Sequence, residues 1–402
     1  MSAKINGSRR WSTVLAWGWA GVAGVGLLLA LGLSGPPGSN DQTQAAGPYV
    51  VFGYNDLGMH CMQSDYSQML VLPPFNTLHA QVIRRGEEPE IMTADISVRY
   101  TIPQNTHSAD KCNWWEYSKA LLGADFAPDV GVTGSRMSGT MSPTGNGDWN
   151  VVGIPVTPVD DSGKEDPYPL ALITAIRNGN VIGQTQAVVP VSWEMSCILC
   201  HKAPGVSTAT DILGAHDKLH GTNLLGSQPV FCASCHSDPA MGAPGQPGIS
   251  SLSSAMHTAH APRMKEANLT NECYACHPGI RTKCQRDIHS SKGLDCNSCH
   301  TSMEAVGNPN RTPWVDMPRC DSCHSKQGFE FEQPGKRYRD SVGHGGVQCM
   351  ACHGSPHAIT PTVTGIDNEQ AINLQGFPGM IKECTVCHTV KPNEAFFHRV
   401  HD

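Results

Sequence analysis

The chain has 402 residues, enough for two domains of ordinary size. Its formal charge of −7, with no basic run, excludes nucleic-acid binding on electrostatic grounds. Charged residues make up 16%, below the roughly 25% usual for soluble domains, and 41 Gly with 29 Pro favour loops over long regular elements.

Lys4, Arg9 and Arg10 precede an uncharged stretch of 23 residues, 11–33. That length is long for the core of a signal peptide and sufficient to span a bilayer. Small residues around 43–47 offer cleavage positions, so residues 1–47 read as a signal peptide or an N-terminal membrane anchor with its linker. Either reading places the bulk of the chain outside the cytoplasm. The arginine pair in "SRRWS" (8–12) reads as ordinary n-region charge.

Residues 48–195 follow the grammar of strands. "ISVRYTI" (96–102), "WNVVGIPV" (149–156), "LALITAIR" (170–177) and "VIGQTQAVVPV" (181–191) are rich in β-branched and apolar residues. Asn178-Gly179-Asn180 between the last two signals a hairpin. "NWWEYSKALLG" (113–123) predicts one helix ending on Gly123. Residues 134–148, "GSRMSGTMSPTGNGD", read as a surface loop. The expectation is an N-terminal antiparallel β-sandwich-like domain, with an immunoglobulin-like arrangement as one form. Cys61 and Cys112 fall within it and are expected as a disulfide in an oxidising compartment. The alternative is a metal site that combines them with His60, His79 or His107.

From residue 196 to 402 the periodicity dissolves and one pattern recurs. Cys-x-x-Cys-His occurs as Cys197/Cys200/His201, Cys232/Cys235/His236, Cys273/Cys276/His277, Cys296/Cys299/His300, Cys320/Cys323/His324, Cys349/Cys352/His353 and Cys384/Cys387/His388. These seven copies use fourteen of the seventeen cysteines. The pattern is the c-type haem attachment signature: two thiols bond one porphyrin, and the adjacent His becomes the proximal iron ligand. A zinc ribbon would pair two Cys-x-x-Cys knuckles per metal and would not need His after each. The motif histidines are 35, 41, 23, 24, 29 and 35 residues apart, so the array has no solenoid period. About thirty residues per site leave too few apolar side chains for a core, and seven c-type haems would have to supply it.

Nine further histidines accompany the motifs: His216, His220, His257, His260, His289, His344, His357, His398 and His401. They are the candidate distal ligands, two more than seven irons require. His216/His220, His257/His260 and His398/His401 are spaced to share a helical face. His289 and His344 lie shortly before the Cys296 and Cys349 motifs, whose own proximal sides are taken, so each is expected to reach a neighbouring haem. Met256, Met264, Met317 and Met350 are the methionine alternatives and read as packing. Cys284 reads as a buried cysteine, with haem ligation or intermolecular pairing as its alternatives.

On these seven motifs and phrases such as "HGGVQCMACHGSPH" (344–357), the second half resembles the multihaem c-type cytochromes of respiration. The resemblance covers about half the chain. It implies a loop-rich, short-helix cytochrome domain over 196–402 that conducts electrons through mostly bis-His haems in the periplasm or at the cell surface. It also implies redox partners: cytochromes or quinol-linked donors on one side, extracellular or terminal acceptors on the other. A homo-oligomer or filament fits the same resemblance. The competing function is a multihaem oxidoreductase of a small nitrogen or sulfur compound, which needs an iron with an open position.

Overall fold

The computed structural model describes residues 47–393 and 396–400. Among them no helix is long and apolar enough to cross a membrane, and the apolar stretch 11–33 lies outside them. The architecture is mixed, with antiparallel sheets first and short helices in long connections after.

Twelve strands precede residue 196: β1 Tyr49–Tyr54, β2 His60–Cys61, β3 Met69–Leu70, β4 Thr77–Arg84, β5 Glu90–Ile91, β6 Ser97–Thr101, β7 Ser138–Thr140, β8 Ser142–Pro143, β9 Trp149–Val152, β10 Leu170–Arg177, β11 Asn180–Val188 and β12 Val191–Ser192. One sheet runs β1-β4-β9-β8, with β5 also on β4, and a second runs β11-β10-β6-β7. A single apolar core joins them, with Val51, Leu78 and Val82 from the first sheet and Val98, Ala171 and Ile173 from the second. Along β10, buried Ala171, Ile173 and Ala175 alternate with half-buried neighbours, the period of a strand with one face in a core. The β10–β11 turn uses Asn178 and Gly179 at φ 51° and 78°. Positive φ at both central residues is what a two-residue hairpin needs to match strand twist. α1, Trp114–Leu122, ends on Gly123 in the left-handed conformation and seats the fully buried Trp114 in the core. Residues 134–148 depart from the loop expectation: β7 pairs with β6 and β8 with β9, closing the exposed edge of each sheet.

Five helices carry much of the second half's geometry: α2 Thr208–His220, α3 Leu252–Ala267, α4 Ile288–Ser291, α5 Cys296–His300 and the single turn α6 Met303–Val306. Ser207, Ser251, Asp287, Asp295 and Ser302 cap their N-termini through side-chain oxygens. The two halves share a backbone ladder, β3 pairing in parallel with β13, Val230–Phe231, while within the first half β2 pairs in parallel with β12. Glu194 adds a clamp, accepting the backbone N–H groups of Ile280, Arg281 and Thr282 at 3.0, 2.9 and 2.5 Å. Burial raises its pKa, but these hydrogen bonds outweigh burial and hold the carboxyl below its ordinary range.

A depressed carboxyl stabilises the fold above its unfolded pKa and loses that contribution as pH falls through the folded value. Glu194→Gln should therefore lower the denaturation midpoint at pH 7, by about 2 kcal/mol for the lost charged acceptor. It should also flatten the stability loss below about pH 4. Urea titrations at pH 7 and at about pH 3 check both, and an unchanged pH 7 midpoint would remove Glu194 as a clamp.

Candidate functional site

Each Cys-x-x-Cys-His motif folds into one helical turn. His201, His236, His277, His324 and His388 donate their backbone N–H to the carbonyl of the first cysteine at 2.8–3.1 Å. The motifs at Cys296–His300 and Cys349–His353 are short α-helices. A single turn brings the two thiols and the imidazole to one side of the chain, as attachment of one planar group requires.

The fourteen motif cysteines differ in their settings. The first cysteines, Cys197, Cys232, Cys273, Cys296, Cys320, Cys349 and Cys384, are half-buried throughout. Of the second cysteines, Cys276, Cys352 and Cys387 are half-buried in the same way, whereas Cys200, Cys299 and Cys323 are exposed. Cys235 is half-buried but engaged: Gln246 Nε2 donates to its sulfur at 3.1 Å. The backbone N–H groups of Cys200, Cys235, Cys276, Cys323 and Cys387 donate to the carbonyls of the first cysteines of their motifs at 3.1–3.3 Å, so the turn holds exposed and half-buried second cysteines alike.

Every motif histidine then faces a second, different histidine. The ring centroids are 6.4 Å apart for His201/His260, 6.3 Å for His236/His216, 6.2 Å for His277/His257 and 6.2 Å for His300/His357. They are 6.1 Å apart for His324/His289, 5.9 Å for His353/His398 and 6.1 Å for His388/His344. Two imidazoles on opposite sides of one metal stand about 6.2 Å apart, from metal–nitrogen bonds of about 2 Å and about 1.1 Å from each nitrogen to its ring centre. The seven distances bracket that value. His220 stays outside the pairs, exposed and 4.8 Å from His216. His401 lies outside the described residues.

The other ring nitrogen fixes the tautomer. Nδ1 of His257 and His260 donate to the carbonyls of Ser253 and Met256, both at 2.7 Å. Nδ1 of His236 and His388 donate to the carbonyls of Ser250 and Glu87 at 2.9 Å, and Nδ1 of His289 meets the Asp287 carboxylate at 2.8 Å. A carbonyl only accepts, so the proton sits on Nδ1 and Nε2 keeps the lone pair for a metal. Burial is the main reason that His277, His300 and His353 are lowered to about 4, which keeps these rings neutral.

The donor set and its surroundings fit a c-type haem at each pair. A pair of cysteines immediately precedes the motif histidine of each pair. Apolar side chains beside the motifs stand exposed, among them Ile198 at 62%, Ile280 at 70% and Val390 at 59%, as the lining of a porphyrin would. The second half has little core of its own. One cluster there has four buried side chains, Ala261, Met264, Ala275 and Met303. Another joins Met350, Ala351, Leu374 and Val386 to Val50, Phe52, Tyr54 and Ile83 of the first sheet.

Numbering the sites by motif order, shared elements set their neighbours. α2 carries His216 of site 2, and its Asp211 lies 3.9 Å from His201 of site 1. α3 carries His260 of site 1 and His257 of site 3 on successive turns. Cys273 of site 3 and Cys296 of site 4 lie next to one another. α4 brings His289 of site 5 just ahead of α5, which is the site 4 motif. Phe331 packs between His324 of site 5 and His398 of site 6. Only three residues separate His353 of site 6 from His357 of site 4, a second tie within this group. Burial, then the Cys387 thiol of site 7, raises Cys352 of site 6 to about 12. The sites therefore adjoin in the order 2-1-3-4-5-6-7, which is not their order in the chain.

In the first half, the two cysteines expected as a disulfide have different neighbours: Cys61 ends β2 near Cys284 and Glu194, whereas Cys112 precedes α1 beside Tyr66. The histidines named for the metal alternative each engage a carboxylate. His60 meets Asp56 at 3.4 Å, His79 meets Asp148 at 2.9 Å, and His107 lies 3.3 and 3.2 Å from Asp110 and Asp161. Met264 and Met350 are buried in the apolar clusters and Met256 is exposed. No protein-family model, curated protein or solved structure matches the chain.

Proposed function

We propose that this protein is an extracytoplasmic electron carrier holding seven c-type haems, one at each histidine pair. The observation that carries the reading is the set of seven ring separations, 5.9–6.4 Å, each between a motif histidine and a different partner. A haem bound between two imidazoles supplies reversible one-electron chemistry and has no vacant iron position. The protein's part is to attach, ligate and space. Motif thiols fix each group covalently, and the Nδ1 hydrogen bonds aim the rings and raise their basicity. Shared helices and side-chain contacts hold sites 2-1-3-4-5-6-7 in sequence, with sites 2 and 7 as ends for exchange with a one-electron donor and acceptor. Cytochromes or quinol-linked donors, and extracellular or terminal acceptors, are the matching partner classes, in the periplasm or at the cell surface.

The oxidoreductase reading needs one site with a single ring. Among the described residues each of the seven motif histidines has its partner, which favours the carrier. A pyridine haemochrome assay with intact mass should give seven haems per chain. The ferric protein should be wholly low-spin, and the ferrous protein should bind no carbon monoxide. Five or fewer haems in a matured preparation would overturn the stoichiometry. Rapid carbon monoxide binding would move the reading to the enzyme.

A further inference from the structure

Three cysteines stand outside the motifs, and the fold brings two of them to one place. Cys61 ends β2, and its register partner on parallel β12 is Ser192. Residues level with one another in a ladder present their side chains to the same face of the sheet. Ser192 Oγ lies 2.8 Å from Thr282 Oγ1, so that face looks onto the segment containing Cys284.

Two anchors bracket Cys284 there. Two residues before it, Thr282 is held by Ser192 and by the Glu194 carboxylate. Two residues after it, Arg286 Nη1 donates to the Gly58 carbonyl at 2.6 Å and to the Cys284 carbonyl at 3.3 Å. Gly58 lies three residues before Cys61, so both anchors tie Cys284 to the backbone around Cys61. Cys284 N–H donates to the Pro278 carbonyl at 3.2 Å, which curls the segment so that Cys284 is held within it. Both cysteines are half-buried.

The surroundings disfavour a reactive thiolate. Burial, then the Cys284 thiol, then Glu194 push Cys61 well above its ordinary value, and burial pushes Cys284 up to about 11. A nucleophilic or metal-ligating cysteine sits in an electropositive setting that lowers its pKa, the opposite of what is found here.

We propose that Cys61 and Cys284 close as a disulfide that staples the sheet half to the haem-motif half, leaving Cys112 as the remaining thiol. It rests on the exported reading of the chain. In that compartment a disulfide-carrying protein oxidant is the co-reactant. While the chain is folding, before burial raises the two thiols, the oxidant's disulfide is attacked by one thiolate and the mixed disulfide is resolved by the other. One S–S bond forms in this protein, two S–H bonds are lost, and the oxidant takes up the two electrons and two protons as a dithiol. With 222 residues between the two cysteines, the closed loop is of the long kind that most restricts an unfolded chain.

The test is a thiol map of the matured, haem-loaded protein. It is denatured without reductant, alkylated, digested and read by mass spectrometry. Cys112 should be the one alkylated position, and the Cys61 and Cys284 peptides should run as a linked pair that reduction separates. Cys61→Ser should expose Cys284 to alkylation, and Cys284→Ser should expose Cys61. Alkylation of both Cys61 and Cys284 in the unmodified protein would overturn the proposal, as would linkage of either to Cys112 or to a second chain. Alkylated motif cysteines would count against haem attachment instead, so the two readings fail separately. If either variant fails to accumulate, the wild-type map still decides.

Discussion

Replacing His357 by alanine should convert one haem of the proposed seven to a high-spin, carbon-monoxide-binding site and leave the other six unchanged. His357 faces His300 across 6.2 Å. Among the described residues no second histidine stands beside it as His220 stands beside His216, so no spare ring there can take its place. Its backbone sits at φ 62°, a conformation that side chains other than glycine rarely adopt. The neighbouring structure holds it there: Arg286 N–H donates to the His357 carbonyl at 2.9 Å, and Ile288 N–H to that of Ile359 at 3.0 Å. A ring kept on such a backbone is one the fold constrains in place. Electron paramagnetic resonance of the ferric variant and carbon monoxide titration of the ferrous one read the result, with about one-seventh of the haem responding. His357→Met should restore the low-spin state at a raised potential, since a thioether in place of an imidazole favours the ferrous form. His220→Ala is the control and should change neither spectrum. A fully low-spin His357→Ala protein would show that His357 is not a ligand.

What could be read from the chain alone was whatever short spacing encodes. The Cys-x-x-Cys-His turns, the hairpin at Asn178-Gly179 and the helix ending on Gly123 each follow from residues adjacent in sequence. The same spacing is silent on what covers each thiol, so the exposure of Cys200 and Cys323 and the Gln246 contact of Cys235 were not legible. β1 escaped because it has no alternation. Val50 and Phe52 face the Met350 and Leu374 cluster while Val51 faces the sandwich core, so the strand is buried on both sides and reads as a continuous apolar run. β7 and β8 escaped for the opposite reason, because Ser138, Gly139, Ser142 and Pro143 are poor or neutral strand formers that become strands by pairing at sheet edges. The facing histidines were legible as a supply of rings but not as pairs. His289 meets His324, and His357 meets His300, because of how loops between distant segments return. The cysteines outside the motifs show the same limit. A common domain suggested Cys61 with Cys112, whereas the β2–β12 ladder turns Cys61 toward a segment more than two hundred residues away.

Arg286→Met should be among the most destabilising single substitutions outside the proposed haem ligands, costing about 3–5 kcal/mol. The guanidinium is 1% exposed and meets the buried Asp367 carboxylate through two parallel hydrogen bonds, Nε to Oδ2 at 2.6 Å and Nη2 to Oδ1 at 2.8 Å. Its third nitrogen donates to the Gly58 carbonyl at 2.6 Å, and the Tyr168 ring lies 5.0 Å from its central carbon. The Arg286 backbone carbonyl accepts from Val363 N–H at 2.9 Å. One side chain thus joins the loop before β2, the segment leading into α4 and the turn around Asp367. Methionine matches the aliphatic stem but leaves a buried carboxylate and a buried carbonyl without their donor. The cost arises from that unpaired charge more than from the lost attraction, so removing both partners should cost less than removing one. Arg286→Met/Asp367→Leu should recover part of the loss in denaturant midpoint. Arg286→Lys should fall between, because an ammonium cannot make the two-pronged contact. A single Met variant as stable as the wild type, or a double variant worse than the single by the full cost of Asp367→Leu, would show that the pair does not act as a unit. The Met variant has a second expected effect. Because the Arg286 backbone N–H, which methionine keeps, holds the His357 carbonyl, displacement of this segment when the side-chain anchors go should loosen site 4 first, and a small high-spin fraction should appear before global unfolding.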